Sequence, residues 1–428
     1  MFAKITRNIY NMIQEFKVKN FLSFNKEQVL SFEPTSDSYY EDKYCIQVTE
    51  DVRLLKAAYI YGANGSGKSN LLFALNFLSA LASEAQSDND EETGVMPFML
   101  NDTSSKQSTS FSIIFYIEEK KYIYEVELNK NIILYESLVY YPSTRPARLY
   151  NRKFDHNARK SIIEFGNQVK LTKKEILIIT GNTLNNTSVL ATLSKVNVGI
   201  TILNNVQNYF KDTILNILQP SQDLIGKYAI KKIESDSGLK SFVLELLNKS
   251  GFNICDLRIE EEVADIPQEM RDFFLKFPYI DDERRKIFLE KDKIEHKDLL
   301  FLHKTSHGIH SLKADVQSRG TLRYLGMLVL LYDLIKRNNV MLIDEIESSL
   351  HYTLLRDFIR LFIESKESQS QLIFTTHDLN ILDEDFIRRD VIWFTEKNID
   401  GETTLERLSS KGIHKNVSIY NAYKKGRI

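Results

Sequence analysis

The stretch YIYGANGSGKSNLLFALNFL, residues 59–78, contains a glycine-rich turn between an apolar strand and an apolar helix. The run AAYIY at 57–61 has the composition of a buried strand, and it leads directly into Gly62. Leucines then recur at positions 71, 72, 75, 78 and 81, which is the spacing of one helix face. The pattern therefore predicts a strand, a tight turn and a helix in direct succession.

The turn fits the P-loop pattern GxxxxGK[ST]. It consists of Gly62, Ala63, Asn64, Gly65, Ser66, Gly67, Lys68 and Ser69, followed by Asn70. Glycines let the backbone approach phosphate oxygens closely, and the helix N-terminus adds a favourable partial charge. We therefore expect a nucleoside triphosphate, ATP, as the ligand. Lys68 is expected to reach the β- and γ-phosphates, and the Ser69 hydroxyl to bind Mg²⁺.

An acidic pair follows a second apolar strand. The segment VMLI at 340–343 precedes Asp344 and Glu345, so both carboxylates are expected at the carboxyl edge of a buried strand. Asp344 is expected to hold Mg²⁺, and Glu345 to polarise the attacking water as general base. His377 follows the next apolar run, QLIFTT at 371–376, where its imidazole would contact the γ-phosphate.

A second helix start carries Ser318 and Gly320. Both precede an apolar helix pattern that runs from residue 322 to residue 332. One chain does not need two phosphate-binding helix starts for one nucleotide. We therefore expect this one to contact the γ-phosphate bound by another subunit. An ordinary helix N-cap is the alternative interpretation.

The composition limits the classes of partner. The 428 residues include 56 basic and 58 acidic ones, so the net charge of −2 gives no reason to expect strong whole-chain binding to nucleic acid or membrane. The basic stretch STRPARLYNRK at 143–153 leaves nucleic-acid contacts open, although a solvated or intersubunit loop is favoured. Two distant cysteines and the lack of a signal peptide or membrane-spanning run predict a cytoplasmic location.

The order of these motifs resembles that of the ABC-type ATPase heads of the SMC, RecF and OLD families. By that resemblance, the signature motif, Walker B, the D-loop and the switch histidine correspond to QSRGT (317–321), VMLIDE (340–345), SSLH (348–351) and His377. The signature reads Ser-Arg-Gly-Thr rather than the usual Ser-Gly-Gly-Gln, and no Q-loop glutamine can be assigned. With FKVKNFLSF (16–24) and YKKGRI (423–428), the chain also resembles the RloA-like and PARIS-type ATPase subunits of bacterial antiphage systems.

The expected fold class is α/β, with an ABC-type P-loop ATPase head, an antiparallel β subdomain and an inserted helical subdomain. Residues 1–165 are predicted to form lobe I, with the P-loop and an antiparallel meander at 110–141. Residues 166–300 are predicted to form the helical insertion. Residues 301–428 are predicted to form lobe II, with the signature, Walker B, the D-loop and the switch histidine.

The resemblance implies an enzyme that hydrolyses ATP and forms homo-oligomers, at least a head-to-head dimer that encloses two ATP molecules. It further implies that the protein senses infection and regulates a separately encoded effector, such as a nuclease or toxin. Two alternatives stay open. One is a RecF-like or SMC-like DNA-repair ATPase that acts as a DNA clamp, and the other is a scaffold whose subunits ATP holds together.

Overall fold

The computed structural model describes residues 10–220, 227–265, 267–269, 272–273, 293–412 and 417–427. The strands are β1 (Asn11–Lys19), β2 (Gln28–Ser31), β3 (Cys45–Gln47), β4 (Arg53–Leu55), β5 (Ala57–Gly62), β6 (Thr109–Ile117), β7 (Lys120–Leu128), β8 (Ile133–Tyr140), β9 (Ala147–Asp155), β10 (Lys160–Phe165), β11 (Ile254–Asp265), β12 (Lys293–Thr305), β13 (Gly308–Lys313), β14 (Val340–Ile343), β15 (Gln371–Thr375), β16 (Ile392–Lys397) and β17 (Thr403–Arg407).

The α-helices are α1 (Glu41–Tyr44), α2 (Lys68–Ser83), α3 (Lys173–Asn182), α4 (Val189–Thr192), α5 (Thr201–Asn208), α6 (Lys227–Ser235), α7 (Ser237–Lys249), α8 (Arg319–Lys336), α9 (Tyr352–Glu364) and α10 (Ile419–Lys424). The chain divides into two compact units. The first unit comprises Met1–Gln222, Asp333–Ser348 and Leu355–Ile428, and the second comprises Asp223–Tyr332 and Ser349–Leu354.

A five-stranded sheet in the first unit carries the P-loop. Its strand order is β14-β15-β5-β16-β17, and only the edge strand β17 runs antiparallel to its neighbour. Every residue of β5, β14 and β15 is buried, as expected for parallel strands covered on both faces. Because the strands are parallel, their carboxyl ends lie at one edge of the sheet. The predicted α/β class is therefore confirmed.

The first unit also contains the predicted antiparallel subdomain. Its seven strands are ordered β10-β9-β8-β7-β6-β1-β2, and consecutive strands from β6 to β10 pair as a meander. The side chain of Gln371, at the start of β15, joins this sheet to the parallel one. Its Oε1 accepts from the Ile13 N–H at 2.6 Å, and its Nε2 donates to the carbonyls of Ile13 and Leu55 at 2.9 and 3.0 Å. This amide bonds the backbone where a bulge interrupts the β1–β6 pairing.

The position of Arg152 corrects one part of the interpretation of the basic stretch as a possible nucleic-acid contact. Within the basic stretch 143–153, Arg145 and Arg148 are exposed, whereas Arg152 is completely buried on β9 and faces Glu136 on β8. The guanidinium donates to the carbonyls of Leu184 and Asn185 at 2.9 and 3.0 Å. Arg152 is therefore part of a buried hydrogen-bond network in which its donors have partners. It is not available to contact a phosphate backbone.

We expect Arg152→Met to lower the free energy of unfolding of the first unit by about 3 to 5 kcal/mol, because Glu136 would keep a buried charge without its partner. Urea denaturation followed by circular dichroism measures this loss. Arg148→Met, an exposed arginine on the same strand, is the matched control and should change stability by no more than about 0.5 kcal/mol. Equal losses for the two variants would contradict a stabilising role for the buried pair.

Lys56 anchors the end of α9 beneath the P-loop strand. Its side chain is 2% exposed, and its Nζ donates to the carbonyls of Phe362 and Ser365 at 3.1 Å each. Burial, assisted by the charge of Lys43, lowers the pKa of Lys56 to about 7. A neutral amine still has the two N–H groups that these two carbonyls require.

The lowered pKa predicts a pH-dependent stability. Between about pH 7 and 10.5 the unfolded chain binds a proton at Lys56 that the folded chain does not, so stability rises with pH across this window. The slope from this single group is at most about 1.4 kcal/mol per pH unit. We expect the free energy of unfolding of the wild type to rise from pH 7 to 9 relative to Lys56→Met. Parallel pH profiles of the two proteins, from urea titrations, would contradict the assignment.

The second unit differs from the helical insertion predicted for residues 166–300. It contains α6 and α7, but also a three-stranded antiparallel sheet in the order β11-β12-β13. The helices α3, α4 and α5 belong to the first unit. Residues 274–292 of the predicted insertion lie outside the described residues. Among the helices described here, none is both long enough and apolar enough to cross a membrane.

Candidate nucleotide site

The P-loop connects the end of β5 to the first residue of α2. Gly65 and Gly67 adopt φ angles of 74° and 104°, in the left-handed region that favours glycine. A Cβ atom on Gly67 would lie 2.3 Å from Thr403 Oγ1 and 2.7 Å from Ser23 Oγ, so both space and conformation require glycine there. The turn that the sequence predicts thus lies at the start of a 16-residue helix.

Three hydroxyl groups from outside the P-loop hold it in place. Ser66 Oγ lies 2.6 Å from Thr395 Oγ1 on β16, and Thr403 Oγ1 on β17 lies 2.8 Å from the Ser66 carbonyl oxygen. The same Thr403 hydroxyl lies 2.8 Å from Ser23 Oγ in the β1–β2 connection. The loop is therefore fixed by contacts from two strands and a hairpin. Sequence reasoning missed Thr395 and Thr403, because nothing local marks them.

The Lys68 side chain folds back over the loop. Its Nζ donates to the carbonyls of Gly62 and Ala63 at 2.8 and 3.1 Å, and it lies 3.5 Å from His377 Nδ1. Burial lowers the pKa of Lys68, while the carboxylates of Asp344, Glu345 and Glu347 act in the opposite direction. An ammonium group that is already partly desolvated binds a phosphate more strongly than one in bulk water, because the local dielectric is lower.

Asp344 lies at the carboxyl end of β14 and meets the P-loop there. Its Oδ1 accepts from Ser69 Oγ at 2.9 Å and from Thr375 Oγ1 at 2.5 Å. The carboxylate is only 8% exposed, and its backbone N–H donates to the Leu218 carbonyl at 2.9 Å. The structure thus brings together the two predicted Mg²⁺ ligands, Ser69 and Asp344.

These two side chains fit a Mg²⁺ ion. Mg²⁺ at a nucleotide is commonly held by one or two protein oxygens, with phosphate oxygens and waters as the remaining ligands. The Ser69 hydroxyl and the Asp344 carboxylate supply hard oxygen donors of this kind. No group of three or more His, Cys, Asp or Glu side chains suited to a metal is found in the described parts of the chain.

Glu345 and His377 lie on the two loops that follow β14 and β15. Glu345 is exposed and has a φ of 45°, a conformation that non-glycine residues rarely adopt. Its N–H donates to Thr375 Oγ1 at 2.8 Å. The His377 N–H donates to Glu347 Oε1 at 2.7 Å. Thr375 therefore bonds both members of the acidic pair, a role that sequence reasoning missed.

Ser318 and Gly320 belong to the second unit and are described within it. Ser318 Oγ accepts from the Thr321 N–H at 3.0 Å, so Ser318 caps the start of α8. A Cβ atom on Gly320 would lie 3.4 Å from the carbonyl oxygen of Ser349, in the segment predicted as the D-loop. The N-cap interpretation therefore holds for Ser318. Contact with the γ-phosphate of another subunit stays a prediction.

A family model matches residues 58–182 and 221–383, which is more than half of the chain. The family is described as "AAA domain, putative AbiEii toxin, Type IV TA system". The chain belongs to this family. Both matched segments contain site residues, because the P-loop lies in the first and Asp344, Glu345 and His377 lie in the second. The protein therefore carries an ATPase domain with the P-loop and acidic pair that its sequence predicts.

The search of curated proteins found no match. Among solved structures, the SMC head domain from Thermotoga maritima is 12% identical, with a TM-score of 0.40 and coverage of 92% of this chain and 98% of that one. An SMC head bound to the C-winged helix domain of ScpA is 16% identical, with a TM-score of 0.39 and coverage of 93% and 99%. A Pyrococcus furiosus Smc head with an extended coiled coil, bound to the C-terminal domain of ScpA, is 13% identical, with a TM-score of 0.38 and coverage of 97% and 99%.

Proposed function

We propose that this AAA-domain protein hydrolyses ATP at sites shared between two copies of the chain. One observation supports the hydrolytic part above all others. Ser69 of the P-loop and Asp344 of β14 are hydrogen-bonded to each other, while Lys68 lies beside His377 at the end of β15. Side chains from three parallel strand ends therefore meet where the phosphates of a P-loop nucleotide bind.

Each residue of the site has a distinct role in this proposal. The amides of the P-loop and the Lys68 ammonium bind and neutralise the phosphates. Glu345 orients the attacking water and accepts its proton, and His377 donates a hydrogen bond to the γ-phosphate. Asp344 and Ser69 would hold Mg²⁺, which supplies charge neutralisation of the β- and γ-phosphate oxygens when bound. The Thr375 hydroxyl holds Asp344 and Glu345 in position, because it bonds Asp344 Oδ1 and the Glu345 N–H.

The Thr375 hydroxyl offers a test of this positioning. Thr375→Val keeps the shape of the side chain but removes the bonds to Asp344 Oδ1 and to the Glu345 N–H. We expect the Mg²⁺ concentration for half-maximal phosphate release to rise about tenfold, and the free energy of unfolding to fall by about 1 to 3 kcal/mol because the Glu345 N–H loses its partner. Thr109→Val, which removes a buried threonine hydroxyl on β6 that donates to the Asn20 carbonyl, is the control and should keep the wild-type Mg²⁺ dependence. A Mg²⁺ dependence that matches the wild type would show that the hydroxyl does not position the acidic pair.

The shared site rests on Ser318, which caps α8, and on Gly320 in the first turn of α8. An N-terminus of an 18-residue helix favours anions, and the Ser318 hydroxyl lies at that end. In this proposal α8 of one copy contacts the γ-phosphate held by the P-loop of the other, so that ATP joins the two copies. Light scattering with and without ATP tests the assembly. A chain that stays monomeric with saturating ATP and Mg²⁺ would contradict it.

We further propose that ATP-driven assembly regulates a separately encoded effector in antiphage defence, as the RloA-like and PARIS-type resemblance implies. The family description, which names a putative toxin of a type IV TA system, supports a role in a system with more than one component. Co-purification with the product of a neighbouring gene, followed by addition of ATP, tests whether the nucleotide releases or activates it. An effector whose binding and activity ignore ATP would contradict this regulation.

The DNA-clamp alternative makes a different prediction. A clamp would bind duplex DNA in an ATP-dependent and strongly salt-dependent manner, since phosphate contacts release counterions. The burial of Arg152 removes one cation from the basic stretch that left nucleic-acid contacts open. Binding of a fluorescent duplex at 50 and 200 mM salt distinguishes the two functions, because the effector model requires no such dependence.

A further inference from the structure

The strand β10 forms one edge of the seven-stranded antiparallel sheet. It pairs with β9 in a single register that runs from Lys160 to Phe165 without a bulge. Among the backbone hydrogen bonds of the described residues, none joins residues 160–165 to a segment other than β9. Edge strands of soluble proteins are commonly protected by a bulge, a proline or a covering element, because a bare edge pairs with another chain. The sequence of β10, KSIIEF, contains no proline, so its backbone is suited to pairing.

One hydrogen bond shows which backbone groups of β10 point away from β9. The N–H of Gly166, the residue after the strand, donates to the Leu149 carbonyl at 2.8 Å. The direction of the backbone groups alternates along an antiparallel strand. The N–H and carbonyl groups of Ser161, Ile163 and Phe165 therefore point to the outer side of β10, which we call the β10 edge.

The exposed face of β10 has a self-complementary order of side chains. Lys160, Ile162 and Glu164 alternate along the strand, so they share one face, and all three are exposed, Ile162 by 48%. Neither charged residue has an ion-pair partner among the described residues. A second β10, antiparallel and centred on Ile162, would place Lys160 of one copy opposite Glu164 of the other, and the two Ile162 side chains opposite each other.

The backbone favours the same alignment. When the two strands are centred on Ile162, Ser161 of one copy lies opposite Ile163 of the other, and both residues point their N–H and carbonyl groups outward. Each of these pairs then exchanges both of its hydrogen bonds. The Ile162 pair and the Lys160–Glu164 pairs occupy the non-hydrogen-bonded positions, where opposite side chains approach most closely.

A pocket of about 380 Å³ lies at the end of β10. Its walls are formed by residues 164–168, with Ala147 and Arg148 of β9 on the remaining side. In the alignment centred on Ile162, the β9–β10 turn of one copy, residues 156–159, lies beside residues 165–168 of the other. The pocket therefore offers space for this turn, and the exposed Arg159 of the turn approaches the Glu164 wall.

We propose that the β10 edge binds the β10 edge of a second copy of this chain and joins the two sheets into one continuous sheet. The contact is isologous, because the same surface is used on both copies around a two-fold axis at Ile162. Backbone pairing supplies the continuous sheet, and the two Lys160–Glu164 pairs fix its register. This contact requires no nucleotide.

The β10 edge is separate from the nucleotide site. The strand order places β10 five strands away from β1, about 24 Å at the usual spacing of strands. The connection that follows β1 contacts the P-loop, because Ser23 Oγ lies 2.8 Å from the Thr403 hydroxyl that bonds the Ser66 carbonyl. One chain can therefore form both contacts at once. Paired copies exist without ATP, and ATP joins such pairs into an assembly larger than a dimer.

Charge reversal at the β10 edge tests the pairing without nucleotide. Lys160→Glu and Glu164→Lys each place like charges opposite each other at two positions, so we expect either variant to raise the dimer Kd at least tenfold. The double variant Lys160→Glu/Glu164→Lys restores opposite charges and should return the Kd to within about threefold of the wild type. Sedimentation equilibrium measures these constants. Lys120→Glu, an exposed lysine at the start of β7, is the control and should dimerise as the wild type does.

Two results of this experiment would overturn the proposal. One is a wild-type chain that stays monomeric without nucleotide at tens of micromolar protein, and the other is a double variant that dimerises as weakly as the single ones. A failure of the proposed ATP site gives a different pattern, because Lys68→Ala and Ser318→Ala should leave the nucleotide-free dimer intact.

A disulfide across the two-fold axis gives a second measurement. Two residues opposite each other at a non-hydrogen-bonded position have Cα atoms about 4.5 Å apart, which a disulfide can bridge. We expect Ile162→Cys to form a covalent dimer under mild oxidation, detected by non-reducing electrophoresis. Lys153→Cys, on β9 beside Ile162, is the matched control, since three strand spacings, about 14 Å, would separate its two copies. Equal cross-linking of both variants, or none in Ile162→Cys, would contradict the pairing.

Discussion

Lys68→Ala is expected to raise the Kd for ATP at least 100-fold and to abolish phosphate release. The Nζ of Lys68 lies among the carbonyls of the P-loop and 3.5 Å from His377, at the point where the β- and γ-phosphates would lie. Loss of a charge-assisted contact to a phosphate in a partly buried site removes a large part of the binding free energy. Fluorescent-nucleotide titration and a phosphate-release assay measure the two effects.

A folding defect must be separated from this loss of binding. Lys68 is only 5% exposed and burial lowers its pKa, so the folded state disfavours its charge. We therefore expect Lys68→Ala to keep or slightly raise the thermal midpoint of the protein without nucleotide. Lys174→Ala, an exposed lysine on α3, is the control for both measurements and should leave them unchanged. A Kd for ATP within threefold of the wild type would show that the phosphates bind elsewhere.

The sequence predicted the part of the site that depends on local patterns. The P-loop lies within eight consecutive residues, and the strands β5, β14 and β15 are runs of buried, mostly apolar residues that end at Gly62, Ile343 and Thr375. Parallel strands align their carboxyl ends at one edge of the sheet. Once the alternation of strands and helices is recognised, the contact between Ser69 and Asp344 can therefore be predicted from the strand order. The P-loop motif and the sheet topology therefore predict the same position for the nucleotide site.

Contacts between distant segments could not be predicted in this way. Thr403 lies 337 residues after Ser66, and Thr375 bonds Asp344 and Glu345 through a hydroxyl that resembles any threonine at a strand end. A single hydroxyl has no periodicity, so its partner is known only when the fold is known. The position of Thr375 two residues before a strand-end histidine does not distinguish it from Thr376, which follows it directly.

The strands of the second unit show why the helical prediction for 166–300 needed correction. In β11 and β12, Glu261 faces Lys297 and Asp265 faces Lys293, with ion-pair distances of 2.7 and 3.8 Å. Charges that pair across two strands look, in sequence, like the polar face of a helix. Leu299 and Phe301 in β12 are buried and two residues apart, but a single such pair is too short to establish the alternation of a strand.

Glu345→Gln is expected to lower the rate of phosphate release at least 100-fold and to leave the Kd for ATP within about threefold of the wild type. Glutamine has nearly the same shape but cannot accept the proton of the attacking water, and general-base catalysis typically contributes a factor of 10² to 10⁴. The exposed side chain can be exchanged without loss of a buried contact, and the N–H bond to Thr375 is kept. Glu119→Gln, in the β6–β7 turn, is the control.

The same variant distinguishes the proposed regulation from the scaffold alternative, because it separates ATP binding from hydrolysis. If two copies enclose ATP, Glu345→Gln should accumulate as an ATP-bound oligomer that light scattering detects and that disassembles only when ATP is removed. Adding Ser318→Ala, which also removes the N-cap bond to the Thr321 N–H, should weaken this oligomer while each chain still binds ATP on its own P-loop, because the second copy loses its contact to the γ-phosphate. Wild-type turnover in Glu345→Gln would place the general base on another residue. An effector response that is normal in Glu345→Gln would instead show that assembly on ATP is sufficient and that hydrolysis only resets it, since both copies would already be joined.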